Sequence, residues 1–215
     1  MLSGLSAKHA GLLLAALGVV SGLLSTFAPI NPGGMLEIAL FSRSGATLYP
    51  AFYFGLALCT GIALWESSSP LRLGVVFVAV MIAWIAAFEA ASEIDRYLER
   101  FRMTNPPNAD GVAVQFPYIM AVAGFIAGII GSAVTATGVA IVSRDFRSYA
   151  SVSRTILIGA LAGMLLQIDV NWSPGPLLLF VTWQAAVAAS VAYGIVEPKR
   201  RRLAEPFATP GAVLA

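Results

Sequence analysis

The sequence predicts an all-α fold, a polytopic integral membrane protein built as a bundle of about six transmembrane helices. Three observations lead there. Hydrophobic residues make up 58% of the 215-residue chain and charged ones 11%, where a soluble domain carries about 25% charged residues, and the mean hydropathy is +0.82. The apolar residues gather in uncharged runs of spanning length joined by short polar links. One run, Phe116–Val142 (FPYIMAVAGFIAGIIGSAVTATGVAIV), carries Gly124, Gly128, Gly131, Thr135 and Gly138 at spacings of four, three, four and three. Such spacings hold side chains to one helix face, and close backbone packing of small residues is a main route by which helices associate in lipid.

The first expected span is Ala10–Ala28. It has the positive start and apolar centre of a secretory signal peptide, but the run is of membrane-spanning length and its small-residue stretch Ser25–Ala28 leads straight into Pro29. It is therefore expected as a retained helix, with Gly18 and Gly22 as a four-spaced small pair. Pro29–Thr47 is a connection broken by Pro29, Pro32, Gly33 and Gly34, within which the apolar Met35–Phe41 is too short to span and is expected at the interface or against the bundle. The second span is Tyr49–Trp65, with Pro50 in its first turn, a small face of Ala51, Gly55 and Cys59, and Trp65 at headgroup level.

Ser69 and Pro70 supply a cap and a first-position proline for the third span, Leu71–Ala91. Beyond it Glu93, Asp95, Arg96, Glu99, Arg100 and Arg102 alternate in sign while Ile94, Leu98 and Phe101 keep helical spacing, so the helix is expected to continue to Arg102. At ~1.5 Å per residue that is about 48 Å, well beyond a hydrocarbon layer of roughly 30 Å. Asn105-Pro-Pro-Asn108 ends it. The fourth span is residues 116–142, the fifth 152–168 with Gly159 and Gly163, and the sixth 174–196, opened by Ser173 and Pro174. The basic segment Lys199, Arg200, Arg201 and Arg202 and the remainder to Ala215 are expected as a mobile tail. The two halves show no convincing internal repeat.

Positive residues orient the spans. With the N-terminus inside, Lys8, Arg72, Arg144, Arg147, Arg154 and Lys199–Arg202 fall on the inner side, and only Arg43, Arg96, Arg100 and Arg102 on the outer. Both termini are expected in the cytoplasm, in a bacterial cytoplasmic membrane. Lys199–Arg202 is first a topology determinant and second an anionic-lipid contact.

Catalytic constellations are missing from the pattern. The chain has one cysteine and one histidine, which rules out an internal disulfide framework and leaves no His/Cys metal or haem set; no phosphate-binding glycine loop or Ser/His/Asp set is present either. No enzyme activity and no cofactor are expected. Glu89 and Glu93, one turn apart, are expected to neutralise Arg96 and Arg100 on a juxtamembrane helix, or alternatively to form a cation or proton site. Gln184, deep in the sixth span beside Trp183, is expected to bond another helix, with a substrate-lining role as the alternative; Trp84, likewise deep, is expected as packing. The expected function is that of a structural or accessory membrane subunit, packed through its small faces into an oligomer or larger complex. The charged extension of the third helix would then serve as a docking surface. The alternative is a channel or transporter for a small neutral solute. Expected partners are the lipid bilayer and further copies or other membrane subunits, with no nucleic acid.

Overall fold

In the structure, a computed structural model, residues 6–27, 47–66, 69–104, 118–171 and 175–204 are described. Met35–Phe41, the Asn105–Asn108 breaker, the Ser173–Pro174 start and the end of the chain past residue 204 lie outside them. The described residues form seven α-helices: α1 Ala7–Phe27, α2 Tyr49–Trp65, α3 Pro70–Thr104, α4 Ile119–Val142, α5 Tyr149–Gly163, α6 Leu166–Asn171 and α7 Gly175–Ala204, with a 3-10 turn Asp145–Arg147 before α5. Among the described residues all regular structure is helical. Five stretches among the described residues are long and apolar enough to cross a membrane by length and composition, and α2, with 17 residues, is a shorter apolar helix.

Local chemistry sets the boundaries. Pro70 opens α3 with the Ser69 carbonyl accepting from Leu73 N–H at 3.2 Å, where a missing proline N–H does no harm. The α3 helix runs without a break through its charged part to Thr104, as its apolar spacing predicts. The fifth span starts earlier than its apolar run suggests, because the Ser148 hydroxyl caps α5 by accepting from Ser151 N–H at 3.1 Å. It also breaks: Met164 and Leu165 donate to carbonyls three residues back, tightening the last turn of α5 before α6 begins.

The basic tail differs from expectation. Lys199, Arg200, Arg201 and Arg202, expected to be mobile, continue the helical backbone of α7 through Pro198 to Ala204. Proline forfeits one ladder hydrogen bond there, while four cations at the negative end of the helix dipole favour continuation.

Neighbours in sequence are neighbours in space, α1 beside α2, α2 beside α3, α3 beside α4 and α4 beside α5, and α7 closes the bundle between α5 and α1 while also touching α2, α4 and α6. The spans alternate in direction. Gly22 near the end of α1 lies against Val181 near the start of α7, and Gly138 near the end of α4 lies against Ala79 near the start of α3. The hub is α7 rather than the glycine-rich α4, since half of its spanning stretch is buried against 39% for α4. The apolar core joins Leu14, Phe54, Leu58, Ile62, Val76, Val139, Val187, Val191 and Ile195. Large aliphatic side chains point outward along the spans, including Leu12, Val20, Val78, Ile82, Val122, Ile141, Leu157 and Leu161. An exterior rich in large apolar side chains around a core rich in small residues fits lipid and not water as the surrounding medium. The protein is an all-helical bundle whose apolar helices mark it as integral to a membrane.

Candidate functional site

Two seams of small residues lock the bundle. Along the first, an added Cβ at Gly18 would lie 2.6 Å from the Ala185 Cα, and one at Gly22 2.5 Å from the Val181 Cα, so α1 and α7 touch backbone to backbone. Such an approach brings one polar group within reach of the other helix: Ser21 Oγ donates to Gln184 Oε1, Gln184 Nε2 donates to Ser25 Oγ at 3.2 Å, and Ser25 Oγ donates to the Ser21 carbonyl at 2.8 Å. Gln184 is 1% exposed. Its side-chain oxygen and nitrogen both find partners on α1, the arrangement a buried amide requires.

The second seam is the α4 column, and it serves two neighbours. Gly124 packs on the Gly163 carbonyl and Gly128 on the Gly159 carbonyl of α5, whereas Gly131 faces Ala87 and Gly138 faces Ala79 of α3. The reason is rotational. At about 100° per residue, steps of four and three swing to either side of the mean line, which puts Gly124 and Gly128 toward one edge of the face and Gly131 and Gly138 toward the other. Thr135 is 1% exposed. The reciprocal face of α5 is Gly159 and Gly163, as their spacing predicts, and Ser132 Oγ reaches the Ile156 carbonyl across it at 3.3 Å. All seven small-face residues are thus packed against helices of the same chain.

Between the seams lies a cavity of about 100 Å³, partly open, walled by Trp84 and Phe88 of α3 and Phe180 and Trp183 of α7, with Gly124 and Gly128 of α4 on the facing side. The rings brace one another: Trp84 lies 5.7 Å from Phe180 and 6.1 Å from Phe88, and Trp183 5.4 Å from Phe54. The Trp84 indole N–H is held by the Thr47 carbonyl at 2.8 Å.

On the same end of the bundle, Arg96 Nη2 sits 2.9 Å from Glu93 Oε1 and 3.4 Å from Glu89 Oε2. Helical side chains lean toward the N-terminus, so Arg96 reaches back to both acids with one nitrogen. Arg100, expected in the same stripe, is exposed, and among the described residues it takes part in no ion pair. The stripe is a triad with a separate cation beyond it.

The opposite end carries contacts that sequence spacing did not reveal. Phe146, in the charged link after α4, is fully buried and fills the space beside Gly194 of α7. Arg147 caps α4, donating to the Ala140 carbonyl at 2.7 Å and the Ile141 carbonyl at 3.1 Å. Arg154 stacks 4.4 Å above the Tyr193 ring, Thr155 and Ser190 share a hydrogen bond at 2.8 Å, and Ser143 donates to Glu66. Ser21 and Ser25 were missed too, although with Gly18 and Gly22 they form a single helical face. The backbone carrying Lys199–Arg202 leaves from this end. Among the described residues no three His, Cys, Asp or Glu side chains come together as a metal set. Comparison with protein-family models, curated proteins and solved structures found no significant match to this chain.

Proposed function

We propose that this chain is a non-catalytic integral membrane protein, a structural or accessory subunit that assembles with further copies or with other membrane chains. The observation that carries this reading is the Gln184 network. The most deeply placed amide of the spans bonds α1 through both its oxygen and its nitrogen, which makes it a fastener between α1 and α7. Ser132, Thr155 and Cys59 are likewise bonded within the bundle, Cys59 to the Leu73 carbonyl at 3.2 Å.

Because the glycine faces are consumed internally, association falls to the exterior. The aliphatic side chains of α1, α3 and α5 would meet neighbouring helices, and the projecting end of α3, with Arg100 exposed, would dock a partner outside the hydrocarbon. The distribution of Lys and Arg supports a cytoplasmic location for both termini.

Isolation from native membranes in a mild detergent tests the reading. The expected result is recovery in a complex with other membrane chains, and Glu89→Gln leaves that complex intact. Recovery of a lone homo-oligomer, together with loss of solute uptake in Glu89→Gln, would overturn it in favour of a transporter.

A further inference from the structure

We infer that the aromatic-walled cavity between α3, α4 and α7 is a binding site for the hydrocarbon chain of a membrane lipid. Its lining is aromatic, small or aliphatic apart from the two indole N–H groups, and that of Trp84 is already bonded to Thr47. Recognition of a hydroxyl or carbonyl group needs a placed polar partner; a bare alkyl chain needs none. The surroundings supply such chains. Residues flanking the lining, Val122 on α4, Met164 and Ile168 around α6 and Leu178 on α7, are exposed large apolar side chains, so the cavity opens within the lipid-facing exterior of the bundle.

Depth agrees. Gly124 lies about 8 Å from the start of α4 and Trp183 about 12 Å from the start of α7 at ~1.5 Å per residue, which is within one leaflet of a layer roughly 30 Å thick. Toward the water on the same helix stand two carboxylates and one guanidinium, Glu89, Glu93 and Arg96. The guanidinium is held by the two carboxylates, so the chain and not the headgroup is what the site selects.

The test uses tryptophan emission in reconstituted vesicles. Trp65→Phe and Trp172→Phe leave Trp84 and Trp183, both on the cavity wall, as the emitters. Vesicles are made from phosphatidylcholine or phosphatidylglycerol with brominated acyl chains, which quench on contact. Ala91→Leu, which fills the cavity from α3, is expected to lower quenching about twofold by excluding the chain, and by the same factor with either headgroup. Should that variant not fold, Phe180→Ala, which widens the cavity, is expected to raise quenching. Quenching indifferent to the folded cavity variant, or dependent on the headgroup, would overturn the inference. Emission restored by a small aromatic compound but not by unbrominated lipid would also overturn it, by making a planar ring the occupant.

Discussion

Gly124 of α4 and Gly163 of α5 face each other backbone to backbone, each occupying the space that a side chain on the other would need. Four residues along, a Cβ on Gly128 would likewise strike the Gly159 carbonyl, while one on Gly159 would strike Ser132 first. Replacing Gly128 by Leu would hold the two helices apart and is expected to cost on the order of 3 kcal/mol. Gly131→Leu should cost less, because its nearest neighbour is the Ala87 methyl at 3.2 Å and not a backbone. Leu at Ile126 or Ile129, off the column, should be tolerated. Thermal unfolding and oligomer size in mild detergent check the series, and equal tolerance at all four positions would remove the seam.

Gly74 supplies the reverse case. Among the described residues nothing lies within 4 Å of where its Cβ would stand, so Gly74→Ala should stabilise α3 by roughly 0.5–1 kcal/mol through backbone entropy alone. A loss of stability would reveal a contact on that face.

Gln184 and Ser21 should be energetically coupled. Single replacements by Ala are each expected to destabilise, and the double-mutant cycle to return a coupling of roughly 0.5–1.5 kcal/mol, the range of hydrogen bonds between membrane helices. Unfolding in detergent measures it, and strictly additive losses would mean that the two side chains act independently.

Phe146→Ala should cost about 3 kcal/mol, since the ring is fully buried beside Gly194. Arg144, two residues before it and exposed, should tolerate Ala with a negligible change. Equal effects at both positions in a thermal scan would contradict the buried anchor.

How much of this was legible follows from the range of each interaction. Glycine pairs at 18 and 22, and at 159 and 163, announce packing faces because helical spacing is local, and the continuation of α3 past Ala91 is visible for the same reason. Which neighbour each face meets was not legible. The α4 column appears as a single stripe in sequence, yet its small rotational drift hands Gly124 to α5 and Gly138 to α3. Gln184 and Ser21 lie 163 residues apart, so no window contains both. Phe146 sits among Arg144, Asp145 and Arg147 without periodicity, which hides its burial, and the cavity needs residues of separate helices at once. Pro198 suggests a stop, but α7 carries its four cations beyond it.

The placement of the positive residues gives opposite fates to two positions. Ala109 is expected on the outer side and Ser148 on the inner. Cysteine labelling with an impermeant reagent checks both in intact cells, and labelling of Ser148→Cys from outside would contradict the orientation.

The most direct measurement of the proposed accessory role is salt-dependent co-isolation of the native complex with Arg96→Glu and Arg100→Glu, singly and together. Rim charges act through screened, long-range attraction, and Arg100 stands outside the Glu89–Glu93–Arg96 triad. Arg100→Glu alone should therefore weaken association at low salt, and the double variant more so, with the difference from wild type shrinking as salt is raised. Association unchanged in the double variant at every salt concentration would contradict the docking role of α3.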